Sequence, residues 1–146
     1  MVLFWTVSSA NPRVPCEPQA GMEREIVQDI NQYRQSKGLA ALREDSRITA
    51  QCRTQCVSMA GDGKISHRGF SGRAFSLLNS FPRAKVAENV GVNYGVANPT
   101  KQMVNTWIAS PGHRINIEGK YHYTGVGVVK TEAGKYYYCQ IFVGQN

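Results

Sequence analysis

The sequence has no run of about 18 uninterrupted apolar residues, the length that a transmembrane helix requires. Its hydrophobic content of 42% also excludes a chain that is disordered over most of its length. A chain of 146 residues is long enough for one domain with a hydrophobic core and too short to favour two. These totals predict a single folded domain without a membrane span.

Only four cysteines are present, and none forms the CxxC pair of a zinc ribbon. Cys52 and Cys56 lie four residues apart on one predicted helix and face the same side, where two side chains rarely reach disulfide geometry. A bridge from Cys16 or Cys139 to one of them is one interpretation. Reduced thiols buried in the core are the other, so the pairing stays open.

Acidic residues are missing between Asp62 and Glu88, although the whole chain carries a net charge of +7. The cations in this interval are Lys64, Arg68, Arg73, Arg83 and Lys85. This basic 64–85 face is either a solvated surface or a contact for an anionic partner. Because no base-reading motif or interleaved exposed aromatic residue accompanies the charge, we expect no specific nucleic-acid binding.

The first 21 residues lack the basic segment that opens a secretory signal peptide. They contain a short apolar run, followed by Pro12, Pro15, Pro18 and Gly21. We predict an extended or leader-remnant segment over residues 1–21 and a single domain over residues 22–146.

Hydrophobic periodicity predicts four helices and a small sheet. The helices are expected over residues 22–37, from Asp45 or Ser46 to about Ala60, from Ser71 to about Phe81, and from Asn98-Pro99 to Ser110-Pro111. Strand-like segments are "KISHRGF", "KVAENVGVNYG" and two β-rich runs around "TEAGK", which indicate an antiparallel hairpin. The predicted fold class is α+β, with a mainly antiparallel sheet in a layered α-β-α sandwich.

Three polar residues at element ends are candidates for one site, namely His67, Glu88 and His113. Two imidazoles and a carboxylate suit a three-ligand metal site with an open position, or a pair of histidines that transfers protons. Structural histidines are equally consistent with the pattern, and Glu88 has two candidate ion-pair partners, Arg73 and Arg114. Ser66 and Ser110 lie near the histidines, but neither occurs in a GxSxG nucleophile motif.

The motifs "SHRGF", "AENVGVNYG", "WIASPGHRINI", "YTGVGVV" and "YYYCQIFVG" resemble the CAP superfamily of cysteine-rich secretory proteins, antigen 5 and pathogenesis-related 1. The sequence is similar to the bacterial-type SCP-like extracellular domains in particular, from about residue 22 to residue 144. The resemblance implies a three-layer α-β-α sandwich and a cleft that contains His67, Glu88 and His113. Arg73, Ser66 and Asn89 occupy neighbouring motif positions and are assigned to the same cleft.

In function, the resemblance implies a secreted or extracellular, non-enzymatic interaction domain. Some members bind zinc or another divalent cation, which would involve His67, His113 and Glu88 here, and related proteins bind lipids. A second cleft glutamate of many eukaryotic members is missing, which weakens both metal binding and hydrolysis. We expect the domain to bind a small ligand or lipid in the cleft and to be a monomer. The alternative is a hydrolase that uses a metal or a Ser/His/Glu arrangement.

Overall fold

The computed structural model describes residues 15–145. Its helices are α1 (Ala20–Ser36), α2 (Ser46–Asp62), α3 (Phe70–Leu78), α4 (Pro99–Ala109) and α5 (Pro111–Ile117). Its strands are β1 (Cys16–Pro18), β2 (Arg43–Glu44), β3 (Lys85–Asn93), β4 (Tyr123–Thr131) and β5 (Tyr136–Gly144). None of the helices in this part of the chain is long and apolar enough to cross a membrane.

The strands form one mainly antiparallel sheet in the order β1-β4-β5-β3, with the short β2 parallel to β4. The predicted hairpin around "TEAGK" is β4 and β5, which pair from Tyr123↔Val143 to Lys130↔Tyr136. The nine residues of β3 pair along their whole length with β5, from Lys85↔Gly144 to Asn93↔Tyr136. β3 is therefore the strand at one end of the order, with β5 as its neighbour.

Helices cover both faces of the sheet, and each face has its own hydrophobic core. On one face, residues of α1, α4 and α5, among them Ile30, Trp107 and Ile117, pack on Val128 and Phe142. On the other face, residues of α2 and α3 pack on alternate sheet positions, including Val129, Cys139 and Ile141. The α+β class and the three-layer α-β-α arrangement predicted from the sequence are confirmed.

Two glycines of β4 let α2 approach the sheet unusually closely. A β-carbon on Gly125 would lie 2.3 Å from the Thr49 backbone nitrogen, and one on Gly127 would lie 2.6 Å from the Cys52 carbonyl carbon. Real side chains do not tolerate such distances to a helix backbone, so both positions require glycine. The close approach fixes α2, and with it the residues that α2 contributes to the site.

The structure differs from the predicted elements in three places. Cys16–Pro18 forms a strand and α1 begins at Ala20, two residues before the predicted start of the first helix; residues 1–14 of the predicted 1–21 lead-in lie outside the described range. The predicted strand "KISHRGF" is wrong, since residues 64–69 form an irregular segment without a strand and Phe70 begins α3. The Pro-Gly break after Ser110 does not end helical structure, because a fifth helix, α5, begins at Pro111.

Candidate binding site at the edge strand

Two successive residues of β3, Glu88 and Asn89, hold the two sides of the candidate site. Successive side chains of a strand point to opposite faces of the sheet. Glu88 accordingly contacts the loop and helix on the α2–α3 face, and Asn89 contacts α5 on the other face. We call these the Glu88 wall and the Asn89 wall.

In the Glu88 wall, the carboxylate is buried and accepts three hydrogen bonds. Arg73 donates from Nε to Oε2 over 2.8 Å and from Nη2 to Oε1 over 2.7 Å, a two-point ion pair. His67 donates from Nδ1 to Oε1 over 3.0 Å. The Glu88 side chain is only 1% exposed, whereas that of His67 is 57% exposed. The carboxylate is thus enclosed, and only the imidazole that it orients reaches solvent.

Arg73 is fixed by two further acceptors, which the sequence did not reveal. Its Nη1 donates over 2.8 Å both to Gln55 Oε1 and to the carbonyl oxygen of Arg68. Gln55 in turn donates from Nε2 to the Ser66 carbonyl oxygen over 2.7 Å, which holds the loop that carries His67. Arg73 is therefore a buried cation that neutralises Glu88, and its place in the predicted basic 64–85 face was wrong.

In the Asn89 wall, neutral amides hold α5. Asn89 is fully buried; its Nδ2 donates to the His113 carbonyl oxygen over 3.1 Å, and its Oδ1 accepts from Asn116 Nδ2 over 2.9 Å. The His113 ring itself shares a 2.8 Å hydrogen bond between Nδ1 and Ser110 Oγ. The backbone of His113 is thus tied to β3, while its ring is oriented by Ser110.

The two imidazoles are electrostatic neighbours. Partial burial lowers the pKa of His113 below its ordinary value of 6.5, and the charge of His67 lowers it further. The hydrogen bonds of both rings engage Nδ1, with Glu88 in one case and Ser110 in the other. This arrangement leaves Nε2 of each ring to interact with a ligand.

The predicted ligand set of His67, Glu88 and His113 does not fit a three-ligand metal centre. Both carboxylate oxygens of Glu88 accept hydrogen bonds from Arg73, and the side chain is enclosed. Within residues 15–145, no group of three or more histidine, cysteine, aspartate or glutamate side chains is placed to hold a metal ion. Among the described residues, the two imidazoles are electrostatic neighbours without a third protein ligand to complete a metal site.

Three further residues near the site are Ser66, Arg114 and Gln55. The Ser66 hydroxyl accepts a 3.4 Å hydrogen bond from the Arg68 backbone amide and lies beside His67 in sequence. Arg114, the alternative partner for Glu88, instead faces Glu118 on its own helix, with 3.7 Å between the charged atoms. Gln55 was missed although a polar residue three positions after Cys52, on the buried face of α2, is a recognisable signal.

Comparison with known proteins agrees with this architecture. The family model described as "Cysteine-rich secretory protein family", CAP, matches residues 27–142. The chain belongs to the CAP family. A Bacillus subtilis protein, YkwD, is 27% identical over 124 residues, which cover 84% of this chain and 47% of that protein. The CAP chain described here thus spans about half the length of this curated relative.

Solved structures share the fold at low sequence identity. An outer surface protein of Borrelia burgdorferi superimposes with a TM-score of 0.74 at 16% identity, over 90% of this chain and 100% of that one. A cysteine-rich secretory protein of Staphylococcus aureus gives 0.68 at 22% identity, over 90% and 40%. An SCP-domain extracellular protein of Bacillus anthracis gives 0.69 at 20% identity, over 87% and 41%. The bacterial CAP fold is therefore shared, and two of these proteins are named for surface or extracellular locations.

Proposed function

We propose that this CAP domain is a secreted, non-enzymatic binding module that recognises a polar ligand through His67 and His113. The family and the printed names of two structural neighbours, an outer surface protein and an extracellular protein, support the location. The two walls of the site support the mode of action, because both present an imidazole and neither presents a free carboxylate.

The enclosure of Glu88 is the observation that carries this proposal. A general base needs a lone pair within hydrogen-bonding reach of a substrate or water. Glu88 uses both oxygens on Arg73 and His67, and its side chain is 1% exposed. Its role is to orient the His67 ring and to keep Nδ1 protonated, which leaves Nε2 directed to other partners.

Histidine spectra provide the test, with His122 as a matched control. His122 is the third histidine of the chain; it is exposed, and its Nδ1 accepts a hydrogen bond from the Gln145 amide. Ring ¹⁵N resonances would be followed while short peptides, a fatty acid and Zn²⁺ are added separately. We expect one polar probe to shift His67 and His113 together and to leave His122 unchanged, and His67→Ala or His113→Ala to weaken binding at least tenfold.

Two outcomes of that experiment would change the assignment. If Zn²⁺ binds tightly and this binding disappears in both alanine variants, the ligand of the site is a metal ion and not a polar organic molecule. Shifts that are equal at all three histidines, or affinities that neither variant alters, would show that ligands bind elsewhere and would reject the proposed site.

A hydrolase is the second candidate, and the Ser110–His113 contact of 2.8 Å favours it. A hydroxyl next to an imidazole is the start of a nucleophile–base pair. The third member is lacking, however: the ring uses Nδ1 on the serine, and no carboxylate of residues 15–145 is hydrogen-bonded to His113. Ester or peptide turnover that is lost in Ser110→Ala would establish the hydrolase and overturn the binding module.

The exposed cations of the basic 64–85 face, without Arg73, suit an anionic partner. They are Lys64, Arg68, Arg83 and Lys85. We propose an acidic polymer as that partner, since attraction of this kind follows net charge. Affinity for a polyanion such as polyglutamate should fall steeply with salt, and replacing the four cations by glutamine should abolish it. Salt-independent binding would exclude this face as the contact.

A further inference from the structure

The four cysteines of the chain meet in one core, between α2 and the sheet. Cys52, Cys56 and Cys139 are fully buried there, and the half-buried Cys16 packs against the same cluster. All four are thiols in the structure. The arrangement discriminates among the pairings that the sequence leaves open.

The close approach of α2 places Cys52 over Cys139. Cys139 is the register partner of Gly127 across the β4–β5 ladder. A β-carbon on Gly127 would lie 2.6 Å from the Cys52 carbonyl carbon and 2.8 Å from its oxygen, so the Cys52 backbone lies directly above this pair. Because the Cys139 side chain points to the same face of the sheet, the two thiols share one layer of the core.

The position of Cys16 excludes the pairings that would join it to Cys52 or Cys139. Cys16 is in register with Thr131, four residues along β4 from Gly127. At about 3.4 Å per strand residue, this separates Cys16 from the Cys52–Cys139 layer by about 14 Å. The Cα atoms of a disulfide lie within about 7 Å of each other. Both thiols of α2 reach β4, that of Cys52 at the Gly125 carbonyl oxygen over 3.3 Å and that of Cys56 at the Gly127 carbonyl oxygen over 3.2 Å. Of the two, Cys52 is the side-chain hydrogen-bonding neighbour of Cys139.

We propose that Cys52 and Cys139 form a disulfide when the chain folds in an oxidising compartment. The oxidant is a small-molecule disulfide such as oxidised glutathione. The Cys52 thiolate attacks one of its sulfurs and releases one glutathione thiolate; the Cys139 thiolate then attacks Cys52 of the mixed disulfide and releases the second. Two cysteine thiols lose two protons and two electrons, and the glutathione disulfide gains both electrons.

The bond forms during folding, before the core closes. In the folded chain, burial raises the pKa of the Cys139 thiol well above its ordinary value, and the neighbouring Cys52 thiol raises it further. Little thiolate is then available for exchange. Once formed, the bridge ties α2 to β5 three residues before Gln55, the side chain that holds Arg73 in the Glu88 wall. Formation of this bridge does not depend on whether the site binds a ligand.

The test is refolding of the full chain from denaturant with reduced and oxidised glutathione, compared with refolding in a phosphine reductant. We expect the oxidised product to lose the mass of two hydrogens, and peptide mapping without reduction to link the peptides of Cys52 and Cys139. Its thermal midpoint should exceed that of the reduced protein by several degrees. Cys139→Ala should abolish the mass loss and the shift.

The double variant Cys16→Ser/Cys56→Ala is the matched control, because it keeps the proposed pair alone. It should lose both remaining thiols on oxidative refolding and keep the thermal shift. This readout does not depend on how well a Cys139 variant folds. A soluble product that retains both thiols, or a wild-type chain in which the linked peptides contain Cys16 or Cys56 with Cys52 or Cys139, would overturn the assignment.

Discussion

The Glu88 wall and the Asn89 wall are built from consecutive residues of the same strand, yet they use different chemistry. The Glu88 wall contains a buried ion pair, in which Arg73 and His67 surround one carboxylate. The Asn89 wall contains neutral amides, which reach the His113 backbone and the Asn116 side chain. Each wall carries one imidazole, exposed at His67 and half-buried at His113, so the same kind of ring is supported by charge on one side and by neutral hydrogen bonds on the other.

This difference predicts unequal tolerance to substitution. A buried charge that loses its partner is far more costly than a buried amide that loses one hydrogen bond. Removing either charge of the Glu88 wall should therefore cause a large loss in the free energy of unfolding. Removing one amide of the Asn89 wall should cause a smaller loss. Substitutions in the two walls should thus differ in their cost to the free energy of unfolding.

Arg73→Met should destabilise the protein most. It removes the only cation within the described residues that pairs with Glu88 apart from the pH-dependent His67, and it leaves a carboxylate that is 1% exposed. Breaking one partner from a buried ion pair costs about 3–5 kcal/mol. Urea denaturation followed by circular dichroism would measure the loss.

The double variant Arg73→Met/Glu88→Gln is the control, because it removes both charges. It should recover part of the stability that Arg73→Met loses, since no unpaired buried charge remains. If the single variant loses less than about 1 kcal/mol, or the double variant is the less stable of the two, the Glu88 wall does not depend on the ion pair, and the contrast between the walls fails.

Asn89→Ala should produce the next largest effect. It removes the donor to the His113 carbonyl oxygen and the acceptor for Asn116, both at a fully buried position. Leaving such a partner unsatisfied costs about 1–3 kcal/mol. Asn116→Ala, at a half-buried position, should cost less. Urea denaturation orders the two variants, and equal losses would mean that the hydrogen bond from Asn89 to the His113 carbonyl oxygen adds no stability beyond the bond between Asn89 and Asn116.

The main elements of the fold were predictable from local signals, whereas a shared cleft for His67, Glu88 and His113 was implied by the resemblance to the CAP superfamily. Asn98 followed by Pro99 predicted the start of α4, and the Asn98 side chain indeed caps that helix by accepting from the Lys101 amide. The same reasoning applied to Ser110 and Pro111 would have predicted α5, because proline favours the first turn of a helix as much as it ends the preceding one. Reading that proline only as a break left His113 outside a helix.

What the sequence could not supply is which polar residues turn inward. In α3, Phe75 is 72% exposed, whereas Arg73 and Leu77 are the buried residues, which is the reverse of what hydropathy predicts for Phe75 and Arg73. Arg73 is inward because Glu88, 15 residues away in sequence, provides a buried countercharge. A helical period cannot reveal such a partner, since the pairing depends on where β3 lies against α3. The choice between Arg73 and Arg114 therefore required the three-dimensional structure.

The titration of His113 should reveal that the two walls are close together. Burial and the charge of His67 both lower the pKa of His113 below 6.5. The unfolded chain therefore binds a proton first as the pH falls below 6.5, so the contribution of His113 to stability is complete above that pH and declines towards the lowered pKa.

His67→Ala removes the charge contribution but leaves the burial contribution. We expect it to raise the pKa of His113 part of the way towards 6.5, as measured by ring resonances during a pH titration. His122→Ala should leave it unchanged. An unaltered His113 pKa in His67→Ala would place the two imidazoles too far apart to contact one ligand.

Ser110→Ala should have the smallest effect on stability, and its effect on the site should be confined to the His113 ring. The Ser110 hydroxyl is half-exposed, and it makes no side-chain cap to α5, so its loss should cost at most about 1 kcal/mol. Its 2.8 Å contact with Nδ1 nevertheless couples the hydroxyl to the His113 tautomer, because the hydroxyl donates to Nδ1 in one tautomer and accepts from it in the other. Ring ¹⁵N shifts at neutral pH should therefore show a changed balance of the two His113 tautomers in Ser110→Ala relative to the wild type. The His67 tautomer, which Glu88 fixes independently, should not change. A simultaneous change at His67 would mean that the two rings are not oriented independently. The charged Glu88 wall and the neutral Asn89 wall would then not determine separately which nitrogen each imidazole presents to a ligand.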